Sequence, residues 1–135
     1  MTPSDAEEAA RRWIEGWSRA WPAEDADAVA ALYADDAVYR SHPFREPHLG
    51  TAGARAYAER AFGEETLVEA WFGEPIAAGN RAAVEYWAIL SSAGKELTLT
   101  GTTVLRFARD GRVEEHREYW SLDDGAYRPP PGWGA

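Results

Sequence analysis

The apolar residues of this chain change their spacing once, near residue 66. Before that point they recur at intervals of three and four, which predicts amphipathic helices, and after it they alternate, which predicts strands. The first helix is expected to bury five residues along one face: Ala10, Trp13, Ile14, Trp17 and Trp21. Ser4 and Glu7 form a capping-box pattern at its start, and Pro22 predicts its end.

Two further helices are expected in the N-terminal half. Asp25 is placed to cap the second helix. Its inner face is expected to contain three residues: Val29, Leu32 and Tyr33. Residues 37–40 then predict a short strand, and residues 41–50, which include two prolines, predict a shaped loop. Thr51 is placed to cap the third helix, whose buried stripe has five members: Ala54, Tyr57, Ala58, Ala61 and Phe62.

The C-terminal half predicts four strands: Thr66–Phe72, Arg81–Ser91, Glu96–Ala108 and Arg112–Ser121. An Asp110-Gly111 pair before the last strand is a strong hairpin signal. Three helices followed by antiparallel strands predict an α+β fold, in which the helices pack on one face of a curved sheet. Residues 125–135 contain three consecutive prolines and predict an irregular tail.

The last strand carries an unusual inner face. Because side chains alternate along a strand, His116, Glu118 and Trp120 are expected on one face. An acid/base pair beside an indole, where apolar residues usually point inward, indicates a pocket. A carboxyl group buried there would have a raised pKa, in the range useful for a general acid or base. The alternatives are a Glu118 neutralised by a neighbouring arginine and a His116 that is an ordinary core residue.

Composition and charge narrow the classes of partner. The chain has 135 residues, of which 45% are hydrophobic, so it is long enough for one buried core. A net charge of −9 argues against nucleic acid and anionic membranes as partners. Without cysteine, a leader or a long apolar run, a cytoplasmic location is expected. The absence of a glycine-rich phosphate loop means that no organic cofactor is expected.

Several segments together resemble the nuclear transport factor 2-like superfamily, in particular its SnoaL-like polyketide cyclase and ketosteroid isomerase branch. They are Leu32–Val38, at the expected end of the second helix, then Val104–Phe107 with Asp110–Val113 across the last hairpin, and Glu118–Ser121. Gly50 before the third helix is also typical of the family. The similarity covers nearly the whole chain, so residues 1–135 are expected to form a single domain.

The resemblance implies a cone-shaped fold, in which three helices pack on a strongly curved, mixed and mainly antiparallel sheet that encloses an apolar pocket. By the family's register Val84, Tyr86, Ala88 and Leu90 line that pocket, and Trp87 lies on the outer sheet face. Members of the family commonly form dimers through this outer face. A homodimer is therefore expected, with Trp87, Ile89 and Tyr119 in its interface.

The chain departs from the family at the positions that carry its best-known chemistry. Where ketosteroid isomerases have a general-base Asp, the nearest match is His42. Their oxyanion-hole Tyr and protonated Asp correspond to Trp17 and Thr103. The ketosteroid isomerase mechanism is therefore not expected. In the epoxide hydrolase branch an acidic residue lies near the Glu118 position, but its Arg and Asp partners have no match on Arg81–Ser91.

The resulting hypothesis is an acid/base enzyme that acts on an apolar, carbonyl- or ring-bearing substrate by isomerisation, cyclisation or dehydration. The candidate catalytic residues are Glu118, His42 and His116, with Glu118 or His42 as the base. His42 is interpreted equally well as a turn residue beside Pro43. The candidate substrate-binding residues are mostly aromatic: Trp13, Trp17, Tyr57, Tyr86, Thr103 and Trp120.

No metal site is predicted, because the histidines are scattered and His48 is expected to be a loop residue. The alternative function is a non-catalytic ligand-binding or association domain, in which His116 and Glu118 form a structural pair. Trp133 and the Pro129–Pro131 run are expected to be docked on the domain, because proline-rich segments lose little entropy on ordering.

Overall fold

The first helix begins before the predicted cap. The computed structural model describes residues 2–135, and α1 spans Pro3–Ala23. Its N-cap is Thr2, whose hydroxyl accepts a hydrogen bond from the Asp5 N–H at 3.3 Å, while the Asp5 carboxylate bonds back to the Thr2 N–H at 3.0 Å. The prediction of Ser4 as the cap is therefore wrong, and the Ser4 side chain lies outside the described part of the chain.

The first helix also continues past its proline. Pro22 lies inside the last turn of α1, so the prediction that it ends the helix is wrong. The helix ends at Ala23 and is capped by Glu24, which adopts the left-handed conformation with φ of 53°. Its backbone N–H reaches back to the carbonyl groups of Ala20 and Trp21, which satisfies acceptors that the helix end would leave free.

The second helix is shorter than predicted, because the chain turns early into the sheet. α2 spans Ala26–Ala30, and its cap is Asp25 as predicted, since Asp25 Oδ1 accepts from the Ala28 N–H at 3.0 Å. The first strand, β1, spans Tyr33–Arg40. Leu32 and Tyr33 are therefore not helical, and the Leu32–Val38 segment begins a strand instead of ending a helix.

The predicted loop at residues 41–50 contains a two-residue strand, β2, at His48–Leu49, which pairs with β1. The third helix, α3, spans Gly50–Glu64. Its N-cap is Leu49 and makes no side-chain hydrogen bond, so the prediction of Thr51 as the cap is wrong. Gly50 has φ of 69°, and a Cβ there would approach the Asp35 carbonyl oxygen at 2.8 Å, so this position requires glycine.

Five further strands follow α3. They are β3 Thr66–Phe72, β4 Ile76–Ala78, β5 Arg81–Ser92, β6 Lys95–Phe107 and β7 Val113–Asp124. The strand order is β2-β1-β7-β6-β5-β3, with β4 paired to β5, and all pairs are antiparallel except β1 with β7. The predicted α+β class with a mixed, mainly antiparallel curved sheet is confirmed.

The four strands predicted for the C-terminal half are all present, but not every boundary is as predicted. β3 has the predicted bounds, whereas β7 extends three residues beyond Ser121, and β4 is not predicted from the sequence. The turn before β7 is closed by hydrogen bonds between Ala108 and Arg112 and between Gly111 and Ala108. Gly111 has φ of 88°, which explains the glycine in this turn.

The helices cover one face of the sheet. α1 packs against β3, β4, β5 and β6, and α3 packs against β1 and β2. The largest side chains of the buried core between these layers are aromatic: Trp13, Trp17, Tyr33, Tyr39 and Phe107. No helix in residues 2–135 is both long and apolar enough to cross a membrane. The assignment of residues 1–135 to a single domain stays a prediction.

The outer face of the sheet is covered in part by the chain's own C-terminal tail. Trp133 packs edge to face on Trp87 with ring centroids 5.9 Å apart, and the Trp87 indole N–H donates to the Tyr127 carbonyl oxygen at 2.7 Å. The predicted docking of Trp133 is thus confirmed. The expectation that Trp87 and Ile89 lie open on this face is wrong: Trp87 is half-buried and Ile89 is only 7% exposed.

Candidate active site

Glu118 lies on the inner face of β7, where the alternation with His116 and Trp120 places it. Its side chain is 11% exposed and both carboxylate oxygens are engaged. Oε1 lies 2.8 Å from His116 Nε2, and Oε2 accepts a hydrogen bond of 2.7 Å from the Tyr86 hydroxyl. No arginine pairs with this carboxylate in the described part of the chain, so Glu118 is not neutralised by a cation from a neighbouring strand.

Glycine makes room for the Tyr86 hydroxyl. Gly101 on β6 lies opposite Tyr86 on one side and Trp120 on the other. A Cβ at this position would lie 2.6 Å from the Tyr86 hydroxyl oxygen and 2.5 Å from the Tyr119 carbonyl oxygen. Any larger residue would therefore displace the phenol from Glu118, so Gly101 contributes to the geometry of the carboxylate.

His116 is the second member of a buried polar chain. Its side chain is 1% exposed, and its Nδ1 lies 2.9 Å from the Tyr33 hydroxyl. The same hydroxyl accepts hydrogen bonds from the indole N–H groups of Trp13 at 3.1 Å and Trp17 at 3.3 Å. This chain of hydrogen bonds thus runs from two tryptophans on α1, through a tyrosine at the start of β1, to the histidine and glutamate on β7.

Two cavities adjoin each other at Glu118. The outer cavity has a volume of about 530 Å³ and lies between the residue 41–50 loop, α3 and the ends of the strands. The inner cavity is about 80 Å³ and extends toward α1. Five residues line both cavities: Tyr57, Ala61, Glu65, Leu99 and Glu118. Glu118 therefore lies at the boundary between the two cavities, which we call the neck.

Most of the predicted site residues line these cavities. Besides Tyr57 and Glu118, which line both cavities, five of them border the inner cavity: Trp13, Trp17, Tyr86, Thr103 and His116. Trp120 borders the outer cavity, and its indole N–H donates to the Ser41 carbonyl oxygen at 2.8 Å. Trp17, aligned with the family's oxyanion donor, instead gives its N–H to Tyr33.

His42 is the predicted residue that lies apart from Glu118. It borders neither cavity, and its Nδ1 accepts a hydrogen bond of 3.1 Å from the Phe44 N–H. Its ring packs edge-on against the ring of Trp120, with centroids 5.5 Å apart. His48 lines the outer cavity instead, and its Nε2 lies 3.1 Å from the Ser41 hydroxyl oxygen.

Sequence reasoning misses three contributors to this interior. It predicts Tyr33 in a helix, does not single out Tyr39, and treats His48 as a loop residue. Tyr39 stacks on the His116 ring at 3.8 Å between centroids, and the Tyr57 ring centroid lies 4.8 Å from that of Tyr39. The alternation of Ala37 and Tyr39 in the predicted strand is a signal that Tyr39 points inward.

The comparisons with known proteins agree with this architecture. A family model described as the SnoaL-like domain matches residues 10–116. The chain belongs to the SnoaL-like domain family. The resemblance to the nuclear transport factor 2-like superfamily is thus confirmed. A solved structure described as an LEH-like epoxide hydrolase of M. tuberculosis has the same fold, with a TM-score of 0.69 and 24% identity over 88% of this chain and 84% of that one. No curated protein matches the sequence.

The interior of this SnoaL-like domain keeps its phenols protonated. Burial raises the pKa of the Tyr86 hydroxyl far above its ordinary value, and the charge of Glu118 and the hydrogen bond to it act in the same direction. Burial likewise raises the pKa of Tyr33 and Tyr57. Tyr86 is therefore a hydrogen-bond donor to Glu118 over the whole physiological pH range.

The outer cavity of the SnoaL-like domain is more polar and carries charges of both signs. Arg45, Glu46 and Arg60 line it, and the Arg45 guanidinium lies 5.9 Å from the Trp120 ring centroid. Burial, and then the charge of Arg60, lowers the pKa of His48. Among residues 2–135 no three His, Asp or Glu side chains are grouped as a metal site would require.

Proposed function

We propose that this SnoaL-like domain is a small-molecule enzyme in which the Glu118 carboxylate acts as the general base. The observation that carries the proposal is the position of Glu118 at the neck between two cavities, with Tyr86 and His116 bonded to its two oxygens. A carboxylate oxygen can accept two hydrogen bonds, so each oxygen keeps capacity for a proton from a molecule in the neck.

The arrangement suits removal of a proton next to a carbonyl group. The base must be held still, and the two hydrogen bonds to the Glu118 carboxylate fix its orientation. The enolate that forms needs a donor for its oxygen. We propose that the Tyr86 hydroxyl, which stays protonated because burial raises its pKa, supplies this hydrogen bond as Glu118 takes up the proton. Isomerisation, aldol-type cyclisation and dehydration all begin with this step.

The walls of the cavities favour an apolar substrate. Trp13, Trp17 and Tyr86 border the inner cavity, while Tyr57 and Trp120 border the outer cavity. An inner volume of about 80 Å³ holds only a small group, so the body of the substrate would occupy the outer cavity. We propose that a ring or chain lies against Tyr57 and Trp120, and that its carbonyl group reaches the neck. Thr103 would contact the innermost part of the substrate.

His42 has a smaller part in this proposal than the sequence analysis predicts. It does not border the cavities, so proton transfer by His42 would require the residue 41–50 loop to move. His116 is the more direct partner of Glu118, at 2.8 Å. We therefore propose Glu118 as the base and His116 as the group that holds it, with His42 as the next residue to test.

Deuterium exchange tests the proposal even though the substrate is not identified. The protein is incubated in D₂O with a panel of cyclic ketones and enones, and exchange at the carbon beside the carbonyl group is followed by NMR. The wild type is expected to accelerate exchange for at least one compound. Glu118→Gln is expected to lower that rate by roughly 100-fold to 10,000-fold, the usual contribution of a general base.

A matched control separates catalysis from folding. Glu115→Gln changes the same functional group on the same strand, but Glu115 lies on the outer face and pairs with Arg117 at 2.7 Å. It is expected to exchange at the wild-type rate. Glu118→Gln can still fold, because the Tyr86 hydroxyl can accept from the new amide. Wild-type exchange by Glu118→Gln would show that the base is another residue.

The second candidate is a binding domain that performs no reaction. It is favoured by the complete pairing of Glu118 and His116, which also suits a purely structural pair. In that case a compound of the panel would quench tryptophan fluorescence on binding, while no compound would exchange. The panel should include a cyclic epoxide, since a base that activates water would open it, as the name of the M. tuberculosis structure implies for that protein.

We also propose that the protein forms a homodimer through the outer sheet face. Tyr119 is 48% exposed on that face, and the docked tail forms the surface next to it. The interface would therefore consist of Tyr119 and tail residues, instead of the bare Trp87 and Ile89 that the sequence predicts.

A further inference from the structure

The Tyr33 hydroxyl is surrounded by three nitrogen atoms. The indole nitrogens of Trp13 and Trp17 lie at 3.1 and 3.3 Å, and Nδ1 of His116 lies at 2.9 Å. An indole N–H can only donate, so the two tryptophans occupy both lone pairs of the Tyr33 oxygen. The one proton of the hydroxyl is then directed at the third neighbour, which is His116 Nδ1.

This assignment fixes the state of the histidine. If Nδ1 accepts the proton of Tyr33, it carries no proton of its own, and the ring proton of a neutral imidazole must be on Nε2. Nε2 then donates to Glu118 Oε1 at 2.8 Å. All the hydrogen bonds point in one direction, from the indoles through Tyr33 and His116 to the carboxylate.

We propose that Tyr33 is a positioning residue, which together with Trp13 and Trp17 holds His116 as the neutral Nε2–H tautomer and so directs a fixed hydrogen bond at Glu118. The role of that hydrogen bond in catalysis rests on the proposed function. The hydrogen bonds are all aligned, because Tyr33 and His116 each accept from the group before them and donate to the next. Aligned hydrogen bonds strengthen one another in a buried site.

The packing around His116 prevents other arrangements of the ring. One face of the ring is stacked on Tyr39 at 3.8 Å with 16° between the planes, and Trp13 packs on it at 5.9 Å. A half-turn of the ring would place carbon atoms against both Tyr33 and Glu118, which would leave two buried groups without a hydrogen bond.

The direction of these hydrogen bonds limits where a proton accepted by Glu118 can go. Glu118 cannot pass an accepted proton through His116 to Tyr33, because Nδ1 would then point a proton at an oxygen whose lone pairs are both occupied. The proton taken from a substrate must return to the substrate or leave through the outer cavity. His116 is thus a positioning residue and not a relay, which distinguishes it from the base.

The tautomer is measured directly in the wild type. ¹⁵N spectra of protein labelled at histidine are recorded at pH 8, and His116→Gln identifies the signals of His116 among the three histidines. We expect a protonated Nε2 and an unprotonated Nδ1 that is shifted upfield by a hydrogen bond. A proton on Nδ1, or both nitrogens protonated, would overturn the inference and needs no variant.

Tyr33→Phe tests the source of that hydrogen bond. The Nδ1 signal is expected to move downfield, toward the value of an imidazole nitrogen that accepts no hydrogen bond. Tyr57→Phe is the matched control, because Tyr57 is a partly buried tyrosine of the same interior but has no hydrogen bond to His116, and it should leave the signal in place. An unchanged Nδ1 signal in Tyr33→Phe would contradict the role of Tyr33.

The rate of deuterium exchange is a second test of the role of Tyr33. Where the wild type exchanges a ketone, Tyr33→Phe is expected to lower the rate at saturation by about 10-fold, a loss typical of groups that orient a functional side chain, with little change in KM. Tyr119→Phe, on the outer face, should retain the wild-type rate. A fixed Nε2–H tautomer without any exchange would support this inference and contradict the proposed function, so the two can fail separately.

Discussion

The ring of Tyr39 lies flat on the imidazole of His116, with 3.8 Å between centroids and 16° between planes. The two residues are opposite each other in the pairing of β1 with β7, the parallel pair of the sheet. The register of these two strands therefore sets the orientation of the histidine. Both residues are almost fully buried, so the contact joins the core of the fold to the candidate active site.

Removal of the Tyr39 ring should destabilise the protein. Tyr39→Ala is expected to lower the free energy of unfolding by about 3–5 kcal/mol, the usual cost when a large buried aromatic side chain is truncated. Urea denaturation followed by circular dichroism measures the change. Tyr119→Ala removes the same ring from a position that is 48% exposed and should cost less than about 1 kcal/mol. Equal losses in the two variants would contradict the close packing of Tyr39 in the core.

The alternation of side chains is enough to find the acid/base pair. His116 and Glu118 lie two residues apart on a strand, so a period of two places them on one face without further information. Tyr33 is missed for a physical reason. The pairing of β1 with β7 shifts register between Tyr33 and Val38, and this irregularity interrupts the pattern that identifies a strand. Apolar spacing across residues 29–33 then imitates a helix.

The outer sheet face shows a second limit of sequence reasoning. Trp87 is correctly assigned to that face, but nothing in the local pattern indicates that Trp133, which lies 46 positions later, packs on it.

Pro22 shows a third limit of prediction from the sequence. A proline is a strong signal for a helix end, yet α1 continues to Ala23 and ends where Glu24 adopts the left-handed conformation. A contact between distant residues decides whether Trp87 is covered, and backbone geometry decides where α1 ends.

Alkaline pH should destabilise the protein through its buried phenols. Burial is the main cause that raises the pKa of four residues: Tyr33, Tyr39, Tyr57 and Tyr86. Because these groups hold their protons more tightly in the folded state, their contribution is complete below about pH 10, the pKa of an unfolded tyrosine, and declines as the pH rises further. Each such group adds about 1.4 kcal/mol per pH unit to the decline.

Absorbance at 295 nm follows the ionisation of these phenols. We expect four of the six tyrosines to ionise only together with the loss of the circular dichroism signal. Tyr57→Phe removes one buried phenol and should make the alkaline decline of stability less steep. Ionisation of all six tyrosines in protein that keeps its native spectrum would contradict the burial of this group.

The docked tail should contribute to stability. Trp133→Ala is expected to lower the free energy of unfolding by about 1–3 kcal/mol, because the ring covers Trp87 and shields the strand beneath it. Thermal denaturation measures this, and the emission of the newly exposed Trp87 should shift to the red. Pro131→Ala changes an exposed tail residue and is the control. Identical melting curves for Trp133→Ala and the wild type would mean that the docked ring contributes nothing.

Sedimentation tests the proposed dimer. At micromolar concentration the wild type is expected to have about twice the chain mass of 14.9 kDa. Tyr119→Arg places a charge in the proposed interface and should shift the equilibrium toward the monomer, whereas Val68→Arg, at a position that is 54% exposed, is the control. A wild-type protein that is monomeric under these conditions would rule out the proposed interface.

The neck between the cavities provides the last prediction. Ala61 on α3 lines both cavities, as Glu118 does, so a longer side chain at this position would extend into the neck. Ala61→Leu fills open space instead of displacing packed atoms, and its effect on stability should stay below the roughly 1–3 kcal/mol that overpacking costs in a full core. Access to the inner cavity should be lost while the fold remains.

The measurement compares two variants of the same helix. Ala56→Leu adds the same side chain at an exposed position of α3, so it controls for any change in helix stability. With the ketone that the wild type exchanges fastest, Ala61→Leu is expected to lose exchange and the quenching of tryptophan fluorescence together, because the carbonyl group no longer reaches Glu118. Ala56→Leu should retain both. If Ala61→Leu binds and exchanges like the wild type, the substrate does not use the neck, and the reacting group must meet its base in the outer cavity.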